Sequence, residues 1–157
     1  MVTVQRGQGR LDPGRVLGRA GLASAVAALR RAFLTELDHG AATLGINPGM
    51  AAFWRVVEES AALRARVRQM RDRAEELLAE TLRSETGATG DDPMPRIAAA
   101  LLVAADAALH AEIRRRVQAE QDPDVVRAEA RRMAGAAFDV LEKGLPAYAV
   151  RRTAKAP

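Results

Sequence analysis

The sequence of 157 residues contains no cysteine, and aromatic residues make up only 3% of it. The lack of cysteine excludes disulfide bonds and thiolate metal sites. Because aromatic side chains are scarce, alanine and leucine must fill the interior, and this favours helices over sheets. We therefore expect a single all-α domain built from the 48% of residues that are hydrophobic.

Long apolar runs are also scarce, and the longest is the stretch 97–113, IAAALLVAADAALHAEI. It is too short and too rich in alanine for a membrane span, and Asp106 lies near its middle. The first twenty residues lack the apolar region of a signal peptide. We expect a cytoplasmic protein that makes no membrane contact.

The net charge of +4 is unevenly distributed. Residues 1–23 carry +3 and residues 146–157 carry +3, which leaves −2 for the body between them. This distribution predicts a flexible basic N-terminal segment over 1–23, a helical domain over 24–145 and a disordered basic tail over 146–157. The helical body is not expected to be a nucleic-acid-binding surface.

Helical periodicity predicts five main helices in the body. Their starts are indicated by capping residues or prolines at Ser24, Asn47, Ser60, Pro95 and Asp122. The third helix carries a narrow apolar seam, in which residues alternate at steps of four and three. The seam consists of Leu63, Val67, Met70, Ala74 and Leu77. The charged residues on the rest of this helix are interpreted as a solvated face.

The 97–113 stretch predicts a central helix with two apolar faces, when residues are placed at 100° each. One face contains Asp106 and His110, and the other contains Ala104 and Ala108. We expect the first face to pack on the protein's own core. The second face consists mainly of small side chains, which suits close packing against a helix of a second copy.

Asp106 and His110 lie one helical turn apart, and a buried carboxylate needs a partner. Two interpretations stay open: a satisfied polar pair in the core, or the polar end of an apolar ligand cavity. The methionine- and aromatic-rich residues nearby allow the same two interpretations. On the cavity interpretation, the candidate ligand-binding residues are Phe33, Leu37, Met50, Phe53, Trp54, Val57, Met70, Val103, Asp106 and His110.

Metal binding has one weak signal, the pair Glu36-x-x-His39, which is half of a di-iron bundle pattern. A second pair of this kind is absent from the sequence, and Asp106 and His110 have the wrong spacing to replace it. The sequence also lacks a nucleophile–base pattern and a phosphate-binding glycine loop. We therefore expect no metal, no cofactor and no enzymatic activity.

The order of these segments resembles the C-terminal domain of TetR/AcrR-type transcriptional regulators. The resemblance covers Ser24 to Leu145 and rests on ALRRAF, the long segment from NPGMAAFW to ELLAETL, PRIAAALLVAADAALHAEIRRRV and the closing VLEKGL. Its most suggestive parts are ES-x-x-LRAR, which leads into a long charged helix, and the alanine-rich helix after a DD-P loop. The resemblance implies a bundle of five to six helices that binds a small hydrophobic effector.

The resemblance also implies a homodimer formed through the last two long helices. The candidate interface residues are Ile97, Leu101, Ala104, Ala108, Val126, Met133 and Ala137. Members of the family carry an N-terminal helix-turn-helix domain that is longer than the segment before Ser24. DNA binding is therefore expected only if that domain is supplied elsewhere. The alternatives are a structural helical interaction module without a ligand and, third, a metal-binding helical bundle.

Overall fold

The computed structural model describes residues 25–40, 42–47 and 49–144, which are almost entirely helical and contain no strand. Five α-helices follow one another in this part of the chain, namely α1 (Ala25–Asp38), α2 (Met50–Glu59), α3 (Ala61–Thr86), α4 (Met94–Gln118) and α5 (Pro123–Gly144). A short 3-10 turn, Ala42–Leu44, lies between α1 and α2. The predicted all-α class is confirmed for these residues. The predicted basic segment 1–23, the cap Ser24 and the predicted tail 146–157 lie outside the described residues.

Two of the predicted caps are confirmed by hydrogen bonds. Ser60 separates α2 from α3 with extended backbone, and its Oγ accepts a hydrogen bond from the Leu63 N–H at 3.3 Å. Asp122 precedes α5, and its Oδ1 accepts from the Asp124 N–H at 2.8 Å. Each side-chain oxygen therefore satisfies a backbone donor of a first helical turn, which has no partner within the helix.

The predicted start of α2 is wrong. The helix begins at Met50, and its N-cap is Gly49, which has a φ of 100° and no capping side chain. Asn47 uses its backbone instead, because its carbonyl oxygen accepts from the Met50 N–H at 3.3 Å. The chain enters α2 through a left-handed residue, and glycine adopts this conformation without steric cost.

The core lies where α5 packs against α1 and α4, and where α4 packs against α3. Its large, fully buried aliphatic side chains come from four helices and are Val26, Leu82, Leu102, Ile113 and Val126. Burying a side chain of this size contributes about 1.5–3 kcal/mol. Hydrophobic burial therefore holds the bundle together.

Ion pairs between α1 and α5 fix how these two helices lie against each other more than they stabilise the fold. Arg30 Nη1 lies 2.6 Å from Asp139 Oδ1 and 3.4 Å from Glu142 Oε2, and Arg131 pairs with Asp38 near the opposite end of α1. About one-third or more of each of these side chains is exposed, so each pair contributes about 0–1 kcal/mol to the stability of the fold.

The helix α3 is buried only near its C-terminal end. Its buried residues are Leu78, Ala79 and Leu82, which belong to the last third of the helix. The predicted seam lies before them, and its members Leu63, Met70 and Leu77 are each about 40% exposed. The seam is therefore not covered by the described part of the chain.

The helix α4 has one buried and one exposed apolar face. Leu102 is 2% exposed, whereas its neighbour Leu101 is 46% exposed. Ala104 and Ala108 share the exposed face with Leu101. The predicted division of this helix into two faces is thus confirmed, and among the described residues the small-residue face is the uncovered one.

No helix in the described part of the chain combines the length and the apolar character needed to cross a bilayer. This holds for α4 as well, although it contains the longest apolar run of the sequence.

Candidate functional site

Among the described residues, a groove with a volume of about 660 Å³ runs between α3 and α4. Its apolar lining comes from both helices and consists of Val67, Met70, Ala74, Leu77, Val103 and Ala107. This volume lies within the range of small-molecule sites. Most of the α3 seam thus faces a groove instead of a packed core.

The two walls of the groove differ, because α3 contributes large side chains such as Met70 and Leu77, whereas the middle of the α4 wall is formed by shorter ones. The α4 residues that face it include Ala107, which is small, and Asp106, which is polar. Further along α3, Leu78 and Leu82 are fully buried, and they close this end of the helix pair. In the described part of the chain, the two helices therefore border an apolar space that is open to solvent.

Asp106 and His110 lie in this groove and contact each other. His110 Nδ1 is 2.9 Å from the backbone oxygen of Asp106 and 3.5 Å from its Oδ2. Because a carbonyl oxygen can only accept, this hydrogen bond requires the proton on Nδ1, and Nε2 of the neutral ring is then an acceptor. The side chains are about one-fifth exposed, so a ligand in the groove can reach them.

The helix α1 contacts this polar pair from behind. The Phe33 ring meets the His110 ring edge-on, with centroids 5.8 Å apart. Burial raises the pKa of Glu36, and the nearby Asp106 carboxylate raises it further. A hydrogen bond from Thr43 Oγ1 and the proximity of His110 act in the opposite direction. Glu36 of α1 therefore lies close enough to Asp106 and His110 for their charges to affect its pKa.

Arg114 extends the polar end of the groove by one further turn of α4. Its guanidinium lies over the Trp54 ring, 4.5 Å from the centroid. Such a cation–π contact restrains the guanidinium. The Trp54 Nε1 is buried without a hydrogen-bond acceptor among the described residues. The single tryptophan therefore reports directly on the Arg114 end of the groove.

Four of the predicted ligand-binding residues lie in the groove: Met70, Val103, Asp106 and His110. Six do not line it. Phe33, Leu37 and Val57 are buried, Met50 and Trp54 are half-buried, and Phe53 is 52% exposed. The helix α2 packs against both α3 and α4, and its aromatic residues are not part of the groove lining.

Sequence reasoning missed Arg66, Arg114 and Ala107 as groove residues. For Arg66 and Arg114 the sequence contained a signal. Arg66 precedes a seam residue, Val67, and Arg114 lies one turn beyond His110 on the same helix face. The charged residues of α3 were all interpreted as a solvated face, because a sequence does not show which charges border a cavity.

The predicted dimer-interface residues of α4 are on the surface. Ile97 is 47% exposed, and Leu101, Ala104 and Ala108 are exposed as well.

The predicted interface residues of α5 are placed differently. Val126 is fully buried in the chain's own core, so it has no surface to offer a partner, and its assignment to the interface does not fit. Met133 and Ala137 are half-buried and pack against the same core. The periodic stripe of α5 faces inward, and the large exposed apolar residues of this helix are Val125 and Val140.

The described residues contain no group of three or more potential ligands arranged to hold a metal ion. His39 lies exposed at the end of α1, where its Nδ1 is 2.7 Å from the Thr35 backbone oxygen. The predicted half-pattern of Glu36 and His39 therefore has no matching half in the part of the chain that the structure describes.

Comparison of the chain with protein-family models, with curated proteins and with solved structures finds no match.

Proposed function

We propose that this chain is an effector-binding, dimerising regulatory domain of TetR type, which acts without catalysis in the cytoplasm and senses a small hydrophobic ligand. One observation carries the proposal: the groove between α3 and α4 has an apolar lining and a polar pair, Asp106 and His110, whose side chains are about one-fifth exposed. A few placed polar groups in an apolar concavity are typical of small-molecule sites.

A ligand in the groove acts on the rest of the domain through α1. An effector beside His110 changes the surroundings of the Phe33 ring and of Glu36, both of which belong to α1. A ligand shifts a conformational equilibrium only through such differential contacts. DNA binding enters the proposal only where a helix-turn-helix domain is supplied elsewhere.

The second part of the proposal is a homodimer formed through the exposed face of α4. Ile97 and Leu101 supply apolar area, and Ala104 and Ala108 allow another helix backbone to approach closely. A face of this kind on a folded domain is costly to leave in water. Val125 and Val140 are the exposed apolar residues that α5 can add to it.

The proposal is tested by titrating small apolar compounds, including acyl thioesters and aromatic molecules, while Trp54 fluorescence and heat release are recorded. Binding should be lost in Ala107→Phe, because the larger ring fills the groove. The matched control is Ala65→Phe, an exposed position of α3 outside the groove lining. Equal binding by both variants would show that the ligand does not use the groove.

The alternative is a structural interaction module without a ligand, and the uncovered faces of α3 and α4 favour it. It predicts self-association of the purified chain together with no response to any compound of the panel. Analytical ultracentrifugation beside the titration separates this function from the first.

A further inference from the structure

The first half of α3 is almost uncovered by the rest of the described chain. Every residue over 61–73 is exposed except Val67, which is half-buried. Apolar members of the seam lie on this surface, because Leu63 is 40% exposed and Met70 is 43% exposed. A helix in a protein draws most of its stability from the packing of its apolar face. Within the described residues, the face of α3 that carries the seam lacks most of such a covering.

The seam has the spacing and the shape that pack against another helix. Its residues recur at steps of four and three, as in a coiled coil, where side chains of one helix fit between those of the other. Met70 and Leu77 project from α3, and the groove beside them has room for further side chains. One surface therefore offers both projecting side chains and a space that receives them. A two-fold contact between identical chains requires a surface of this self-complementary kind.

The charges of α3 are segregated along its length. Residues 64–73 contain five arginines and one aspartate, whereas residues 74–86 contain four glutamates and one arginine. The ion pairs inside α3 neutralise equal numbers of both signs and leave this asymmetry in place. Arg68 and Arg71 form no ion pair with a residue that the structure describes. The helix thus has a basic first part and an acidic second part.

This asymmetry decides the direction that a second α3 would take. In a parallel pair the basic parts of the two helices would lie side by side, and like charges at a contact are destabilising. In an antiparallel pair each basic part lies beside the acidic part of the other copy. The antiparallel direction also allows Met70 to lie opposite Ala74 of the second copy and Val67 opposite its Leu77, so that large side chains meet smaller ones. Charge and shape therefore favour the same partner.

We propose that a second copy of this chain docks on the α3 seam, with its own α3 antiparallel and related by a two-fold axis. This contact is separate from the dimer contact proposed on α4 and requires no effector, so it goes beyond the proposed function. From Leu63 to Leu77 the seam rises by about 21 Å at 1.5 Å per residue. A contact of this size is typical of transient complexes. It therefore forms at high protein concentration and leaves the groove accessible in dilute solution.

Disulfide trapping tests the direction of the pair. The chain contains no cysteine, so single-cysteine variants of the full chain carry one thiol each. Val67→Cys and Leu77→Cys, of which one carries a tag that changes its mass, are mixed at high concentration and oxidised mildly. In an antiparallel pair the two different positions face each other, whereas equal positions lie about 15 Å apart along the helix axis. The mixed disulfide should therefore form about tenfold faster than either self-linked product, since a disulfide requires close approach of the two backbones.

The matched control is Ala65→Cys, because Ala65 is exposed on the side of α3 opposite the seam. It should link to neither seam variant. The trapping is repeated with Ala108→Arg added, which places a charge on the α4 face, and the mixed disulfide should form at the same rate. Circular dichroism confirms that each variant is folded.

Sedimentation equilibrium without oxidation tests the contributions of charge and of the apolar seam. Association of the Ala108→Arg chain should increase with protein concentration, and added salt should weaken it, because exposed charges are screened. Adding Met70→Glu should weaken association about tenfold, because it places an unpaired charge in the apolar contact. Adding Ala65→Glu in its place should leave association unchanged.

Each contrary result would overturn the proposed contact. Self-linked products that exceed the mixed disulfide would show a parallel pair. Equal linking by Ala65→Cys, or loss of the mixed disulfide when Ala108→Arg is added, would place the contact outside the seam. No linking and no concentration-dependent association would show that a second copy does not dock there and that another part of the chain or a different molecule covers the seam. None of these results bears on effector binding, which the ligand titrations test separately.

Discussion

Two neighbouring leucines of α4 provide a sharp test of its two-faced character. Leu102 is 2% exposed and belongs to the core, whereas Leu101 is 46% exposed on the proposed dimer face. Both are changed to alanine, in the same helix and at adjacent positions. Differences in helix propensity therefore cancel between the two variants, and the comparison isolates the environment of each side chain.

The expected magnitudes differ in size and in kind. Removing a buried leucine side chain costs about 2–5 kcal/mol, because transfer energy is lost and a cavity remains. We expect about 3 kcal/mol for Leu102→Ala, which corresponds to a fall in Tm of roughly 6–12 °C for a chain of this size. Leu101→Ala should cost at most about 0.5 kcal/mol within one chain, since surface substitutions have small effects. If the face is a dimer contact, the loss in Leu101→Ala should grow with protein concentration.

Urea denaturation at two protein concentrations a hundredfold apart measures both effects. Leu102→Ala should lower the unfolding midpoint equally at the two concentrations. Leu101→Ala should lower it mainly at the higher concentration, where the wild-type chain is dimeric. Equal, concentration-independent losses in both variants would refute the assignment of the two faces.

Three further changes test other features. Ala108→Arg places a charge on the proposed dimer face, so size-exclusion chromatography should show a monomer with unchanged helicity, whereas Ala65→Arg on α3 should leave the dimer intact. Burial is the main cause that raises the pKa of Glu36, so the protonated carboxyl stabilises the folded chain relative to the unfolded one. This contribution to the free energy of unfolding is present below the ordinary pKa of 4.5 and is lost as the pH rises through the raised pKa. In urea titrations, the stability of Glu36→Gln relative to wild type should therefore increase as pH rises across that window; a pH-independent difference would contradict the burial of this carboxyl. Gly135 lies in α5 with open space at the position that a Cβ would occupy, so Gly135→Ala should stabilise the chain by about 0.5–1 kcal/mol, whereas Gly45→Ala, at a φ of 71°, should destabilise it in the same thermal assay.

Local features of the fold could be predicted from the sequence. Ser60 and Asp122 mark helix starts because their side chains accept hydrogen bonds from the next backbone N–H groups, a contact that needs only nearby residues. The two faces of α4 follow in the same way from the 100° step between residues. The start of α2 was predicted wrongly because Asn47 is a residue type that often caps helices. The sequence does not show that Gly49 takes the left-handed conformation and caps the helix instead.

The candidate site was predicted only in part. Asp106 and His110 were recognised because they are polar residues in an apolar helix, and they do lie in the groove. The aromatic residue Phe53 was assigned to the same cavity on composition, yet it is half exposed on α2. Composition indicates that large side chains are close in sequence, but it does not indicate which space they fill.

The sequence by itself determined the helical class, several helix starts and the apolar faces of α3, α4 and α5. Only the tertiary structure decided which of these faces is covered. The stripe of α5 that includes Val126 was equally suited to a partner and to the chain's own core, and it lies in the core. The seam of α3 around Met70 was equally suited to burial, and it lines an open groove. The physical reason is that periodicity fixes the direction of a side chain relative to its own helix axis, whereas burial depends on the neighbouring helix and on the size of the side chains that it presents.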